Sequence, residues 1–378
     1  MPECRLATDV FPFRGVDLRI VRRDISGDGG GDADDASTGA ASNQSADDDD
    51  DDDWVDPNFF DEGYSVAATT GFCRVWEGAE VLTRLLEEGC NGDDDPDAST
   101  PSLRSRVAGK RVLELGSGVG LCGIAAASAG AHVMCTDLEA VVEGVLYRNI
   151  GENTSTDDDE VQAASSSQPW RAGERIKGGN SGTCVAQVLD WTKSIDDAMV
   201  AQGRLCRRRR VLSREDTSGA RWPCIGDGTA ADDDDVVASC VNDPRDCELV
   251  MAAECLWLRE LVDPFCDTVT SLMRSARERN GIELPCVLSF RDRSSKNGDG
   301  HAEAGDGSPG DAPAVAASSS SSSRGDAGGG GGAFVPVRDV VAAFVERGCG
   351  WRTVRVSPST EDEGYHVHVF EITPPPPR

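Results

Sequence analysis

The chain has 378 residues, with 37 Lys+Arg against 67 Asp+Glu, a formal charge of −30 and 38% hydrophobic residues. No run of about 18 apolar residues occurs, which excludes a membrane-crossing helix, and the start MPECRLATDVFPFRG lacks the continuous apolar stretch of a secretory signal. The acidic balance also excludes nucleic-acid binding by bulk charge.

In chain order, residues 11–21 alternate apolar and polar side chains around Arg14-Gly15, which predicts a strand pair within 1–24. Residues 25–53 are an acidic low-complexity segment ending in the aspartate run 47–53. Val75, Ala79, Leu82 and Leu86 then share one face of an amphipathic helix, with Gly89 just past its end. A single domain is expected over 54–378, interrupted by low-complexity insertions at about 91–106, 151–182, 201–245 and 294–332. Three of these carry aspartate runs, at 93–95, 157–159 and 232–235. Such runs read as solvated loops, with attraction of a basic partner as the sharper alternative. The arginines 207–210 read as a solvated basic loop, or as a nuclear-import patch. Without the insertions about 220 residues remain, enough for one α/β domain.

Within that domain, strands are predicted at 111–115, 132–136, 184–189, 247–253, 284–290, 351–357 and 364–372. Helices are predicted at 121–129, 141–150, 261–279 and 337–347. Alternation of this kind gives a Rossmann-like, mostly parallel seven-stranded α/β sheet with an antiparallel C-terminal hairpin. Ligands of such sheets bind at the carboxyl ends of the strands. The 14 cysteines form no C-x-x-C pair and mostly sit in apolar runs. They read as reduced, buried residues of a reducing compartment. With four histidines and no ligand spacing, no metal site is expected.

After the first strand of that series comes Gly116-Ser117-Gly118-Val119-Gly120, opening a helix. Glycines at every second position let a ligand lie directly on the main chain. The N–H groups of the helix start favour an anionic part of that ligand. Leu121 stands where a G-x-G-x-x-G dinucleotide turn needs its last small residue, which weakens a nicotinamide reading. Asp137 ends the next strand, where a carboxylate can accept bonds from adjacent ribose hydroxyls.

The segment RVLELGSGVGL (111–121) followed by HVMCTDLEAV resembles the S-adenosylmethionine-binding region of class I, seven-strand methyltransferases. Val75-Trp76-Glu77-Gly78-Ala79, the third-strand Val188-Leu189-Asp190-Trp191 and the fourth-strand DCELVMAAECLW (246–257) resemble methyltransferase family 16, the methyltransferase-like group of protein-lysine methyltransferases. FPFRG near the N-terminus and Ser289-Phe290-Arg291 also fit.

The resemblance implies S-adenosyl-L-methionine as cofactor and transfer of its methyl group to a protein lysine. By that likeness Gly116, Ser117 and Gly118 touch the methionine part, Asp137 holds the ribose, and Trp191 lies against the adenine. Trp76 closes the pocket, Ala253 contacts the cofactor from beneath, and Glu254 orients the amine or accepts its proton. Trp257 stands where the family carries Tyr or Phe; its indole face would attract an ammonium by cation–π interaction. The resemblance also implies a cytoplasmic location, with nuclear entry left open, and a protein substrate; a monomer is expected, and the acidic runs point to a basic substrate. A small-molecule or other protein acceptor, and a non-catalytic binding module on the same fold, remain open alternatives.

Overall fold

The computed structural model describes residues 6–24, 66–88, 101–155, 167–178, 182–215, 240–292 and 335–377. The aspartate runs, Gly89 and the expected insertion 294–332 lie outside the described residues. The chain begins with an antiparallel hairpin, β1 (Leu6–Phe13) and β2 (Val16–Arg23), turned by Arg14 and Gly15 at positive φ. It is not a separate unit: Phe13, Leu18 and Ile20 are fully buried in the core of the main domain. Asn149 ties it down, accepting from the Val21 N–H and donating to the Val21 carbonyl, both at 2.8 Å.

Helices α1 (Val66–Cys73), α2 (Glu77–Glu87) and α3 (Leu103–Val107) precede the main sheet. Then follow β3 (Arg111–Leu115), α4 (Leu121–Ser128) and β4 (His132–Asp137). Next are α5 (Glu139–Val141) and α6 (Tyr147–Glu152), joined by a π-helical turn, Val142–Leu146. The remaining elements are β5 (Glu174–Arg175), β6 (Thr183–Val188), α7 (Ile195–Glu215), β7 (Leu249–Ala253), α8 (Arg259–Asn280), β8 (Cys286–Arg291), α9 (Val337–Glu346), β9 (Gly350–Pro358) and β10 (His366–Thr373).

The sheet order is β5-β6-β4-β3-β7-β8-β10-β9. Strands β6, β4, β3, β7 and β8 pair in parallel, and β10 and β9 are antiparallel additions at one edge. The seven expected strands are all present. The eighth, β5, has two residues and pairs antiparallel with the start of β6, too short for any period to announce.

Period-two alternation divides the strand residues between two cores. Val112, Val133, Cys135, Ala186 and Met251 face α2, α4, the π-turn and the N-terminal hairpin. Leu113, Leu115, Met134, Val250 and Leu288 face α8 and α9. Both faces are covered, which is why these strands read as continuous apolar runs. Helix α4 is buried along its whole length, and its Ala and Gly residues let it lie close to the sheet.

The insertions expected at 91–106, 151–182 and 201–245 are narrower than composition suggests. Residues 103–106 open α3, and 174–175 form β5 beside the buried Trp170. The α7 helix continues to Glu215, and Asn242 is buried against Gln187. Polar, Ser-rich or Arg-rich composition hides these pieces because each is buried on one side only. The arginines are a case in point. Arg208 pairs with Glu139 and Glu143 at 2.7 Å, and the Arg209 guanidinium lies 3.5 Å from the Tyr147 ring centre. They therefore belong to a packed helix, not to a solvated loop. The chain leaves the described residues at Asp292, beyond β8, and the Val337 N–H donates to Asp292 Oδ2 at 3.3 Å. Both ends of that interval stand at the carboxyl end of the sheet.

Candidate functional site

A cavity of about 320 Å³ opens at the carboxyl ends of β3, β4, β6 and β7. Its floor is the glycine turn. Gly116, Gly118 and Gly120 have φ of 64°, 52° and 89°, the left-handed region that only glycine enters without strain. Space demands glycine as well. A Cβ at Gly116 would lie 2.7 Å from Cys255 Sγ and 3.0 Å from the Trp191 ring. At Gly120 it would meet Leu146, in the π-turn, at 2.7 Å. Helix α1 crosses above, with the Gly71 carbonyl 3.5 Å from where a Gly118 Cβ would stand.

Asp137 closes this turn. Its Oδ2 accepts the Gly118 N–H at 2.8 Å, and its Oδ1 accepts the Leu138 N–H at 2.7 Å. Burial pushes its carboxyl up to about 6, against the lowering effect of these two bonds. Remaining lone pairs on both oxygens can accept further donors. The neighbouring Ser117 Oγ accepts the Thr136 N–H at 3.0 Å, so turn and strand end are fastened twice. Glu114, on β3 two residues before Gly116, is buried, and burial raises it to about 7.

The opposite wall comes from β7 and α2. Ala253 ends β7, and Glu254 follows at φ 55°, a left-handed conformation that costs a non-glycine residue about 1 kcal/mol. The Glu254 N–H donates to the Ser289 carbonyl at 2.9 Å. Its side chain is buried beside Gly78, where a Cβ would lie 2.8 Å from Glu254 Oε1 and from Ser289 Oγ. The Cys255 thiol donates to the Leu115 carbonyl at 3.0 Å, and burial pushes it well above the usual thiol range.

Three tryptophans frame the space. Trp76 begins α2 as its N-cap residue, donates from Nε1 to the Thr70 carbonyl at 3.3 Å, and carries the Arg74 guanidinium 4.5 Å from its ring centre. Trp191 meets Phe265 edge-on at 5.2 Å, which fixes its plane. Trp257 is half-buried on the rim.

All nine residues expected from sequence line this one cavity: Trp76, Gly116, Ser117, Gly118, Asp137, Trp191, Ala253, Glu254 and Trp257. Sequence reasoning missed Thr70, Gly71, Arg74, Glu114 and Cys255 as wall residues. Helix α1 offered no periodic signal, because VAATTGFC is small or apolar throughout. Glu114 had a signal, an acid inside an otherwise apolar strand. Among the described residues no group of three or more His, Cys, Asp or Glu side chains could hold a metal ion.

The charged lining is Glu114, Asp137, Asp190 and Glu254 against Arg74. Such a cavity suits a ligand with cationic groups and neutral hydroxyls and disfavours a pyrophosphate. S-Adenosylmethionine, with its sulfonium and ammonium, fits the glycine cradle and this charge pattern.

Residues 64–171 match the family model described as lysine methyltransferase. The zebrafish (Danio rerio) protein N-lysine methyltransferase METTL21A is 42% identical over 79 residues, 21% of this chain and 29% of the relative. The cattle (Bos taurus) protein-lysine methyltransferase METTL21E is 37% identical over 82 residues, 22% of this chain and 24% of the relative. The matches thus span under a third of those relatives. Among solved structures, magnesium protoporphyrin IX methyltransferase from Synechocystis PCC 6803 with bound SAH has a TM-score of 0.32 at 10% identity, covering 82% of this chain and 86% of that one.

Proposed function

We propose that this protein is an S-adenosylmethionine-dependent methyltransferase whose acceptor is a lysine side chain of another protein. The observation that carries the reading is Asp137, clamped to the Gly118 N–H at the edge of a glycine floor in a mainly acidic cavity. The lysine methyltransferase match over 64–171 covers that floor and supports the same reading.

The cofactor supplies an electrophilic methyl group on a sulfonium. The chain's residues bind, orient and exclude water. Gly116, Ser117 and Gly118 would take the methionine part, Asp137 the ribose hydroxyls and Trp191 the adenine face. Trp76 covers the pocket on the α2 side, and Ala253 would contact the cofactor from the β7 wall. Glu254 would orient the incoming amine and accept its proton, directly or through water. An amine entering a dry pocket beside a positive sulfonium loses its own proton more readily. Most of the rate enhancement then comes from alignment of the amine with the methyl group. The Trp257 indole face offers an ammonium or methylammonium a cation–π contact in place of a phenol hydroxyl.

Trp257 also supports a second reading, a module that binds the cofactor without turning it over. One assay separates the readings. The purified protein is incubated with methyl-labelled cofactor and a cell extract, and label is located by mass spectrometry. Label on protein lysine supports the proposal, label only in small metabolites contradicts the lysine acceptor, and cofactor binding without transfer supports the module. We further propose a basic sequence around the target lysine, a monomeric state and a cytoplasmic location with access to the nucleus. The eleven free, buried cysteines among the described residues support a reducing compartment. Gel filtration with light scattering and imaging of a tagged chain test the last two.

A further inference from the structure

The loop between β9 and β10 is more than 280 residues from α2 in sequence, yet it is fastened to the first residues of that helix. Glu77 is 2% exposed, and its carboxylate accepts from the Ser359 hydroxyl, the Thr360 hydroxyl and the Thr360 N–H. Hydrogen bonding to its charged form outweighs burial and holds it below the usual carboxylate range. Arg291, at the end of β8, completes the joint. Its Nη1 lies 2.9 Å from Glu361, 2.8 Å from Asp362 and 3.7 Å from Glu77. Glu361 also takes the Arg74 guanidinium, the group stacked on Trp76.

Three consecutive residues thus have three separate tasks. Trp76 lines the cavity, Glu77 grips the loop, and Gly78 leaves the space into which Glu254 folds. Trp76, the extended N-cap residue, and Gly78, in the first turn of α2, are bonded directly to Glu77, so the loop's hold on Glu77 bears on both neighbours. We propose that the β9–β10 loop is a positioning element of the site, which through Glu77 and the Glu361–Arg74 pair sets Trp76 over the cofactor pocket and keeps Gly78 against Glu254. Its consequence for methyl transfer rests on the methyltransferase reading. The mechanical coupling does not. The centre of the joint, Glu77 and Arg291, is buried, so each partner lost there leaves a desolvated charge behind, while the Arg74–Glu361 pair lies in solvent and adds less.

The test uses the full chain labelled with 5-fluorotryptophan, the Trp76 resonance being assigned with Trp76→Phe. Two loop variants are compared, Glu361→Gln and the double variant Ser359→Ala/Thr360→Val. The control is Glu283→Gln, which removes the surface pair to Arg277 at the far end of α8, where no residue lines the cavity. In ligand-free protein the Trp76 signal should move in both loop variants and not in the control. Affinity for S-adenosylhomocysteine should fall about fivefold in the loop variants. Gly78→Ala reports on the other arm, and should lower kcat about tenfold while leaving cofactor affinity unchanged. A Trp76 signal that stays put in the loop variants while their thermal midpoint falls would overturn the proposal, as would an equal shift in the control. A Trp76 signal that moves in the loop variants while the wild-type chain binds no S-adenosylhomocysteine upholds the coupling and overturns the methyltransferase reading instead.

Discussion

Asp137 ends one parallel strand and Glu254 follows another, yet the two halves of the cavity they govern are built in opposite ways. The Asp137 half is local. Its glycine floor, its two N–H donors and the strand it ends all lie within 111–138. The Glu254 half is assembled from distant pieces: Gly78 on α2, Ser289 on β8, and the β9–β10 loop behind Glu77. A site of this kind separates a fixed holder for one ligand from an adjustable wall for the other. Loss of the holder should remove binding, whereas changes to the wall should tune the reaction.

The largest effect is expected at the floor. Gly116→Ala places a methyl group 2.7 Å from Cys255 Sγ at φ 64°, so S-adenosylhomocysteine affinity should drop more than about 100-fold by calorimetry. Retained affinity would mean that the ligand does not lie on this main chain. Glu254→Gln should sharpen the contrast: kcat falls about 10- to 100-fold in a methyl-transfer assay, while cofactor affinity stays within about threefold. Equal losses in both would dissolve the division into holder and wall.

Glu114 gives a pH signature of the floor alone. Its folded-state carboxyl is raised to about 7 from an unfolded value of 4.5, so the folded chain holds this proton more tightly. The associated stability is present below pH 4.5 and is lost as pH rises to about 7. Chemical denaturation of Glu114→Gln should therefore show a flatter profile over that window, wild type losing about 3 kcal/mol more than the variant between pH 4 and pH 8. The smallest effect belongs to the rim. Trp257→Tyr restores a hydroxyl at the wall and should change the ratio of mono- to trimethylated product, or the acceptor KM, by about two- to fivefold.

The same division explains what sequence alone could show. Residues 111–137 carry strand, turn, helix and strand in one unbroken run, so Gly116, Gly118 and Asp137 were legible as a set. The amphipathic stripe of α2 and the apolar strands were legible for the same reason, as local periodicity. The grip of Glu77 on Thr360 was not, because it joins residues from opposite ends of the chain. Nor were the left-handed backbone of Glu254, the space left by Gly78, or the burial of Arg209 on Tyr147. Each depends on a neighbour brought close only by folding. Helix α7 was not legible as a helix at all, for a different reason, since arginine-rich composition looks the same on a packed helix as on a loop.

Calorimetric titration of S-adenosylhomocysteine into the folded chain tests the central claim most directly, at pH 8 and at pH 5, with Asp137→Ala alongside. Asp137 must be ionised to accept two hydroxyl donors, and its carboxyl lies at about 6. One site per chain is predicted, with affinity weakening about tenfold per pH unit below about 6 and abolished in Asp137→Ala. No binding heat from the folded wild type, or equal affinity in Asp137→Ala, would contradict it.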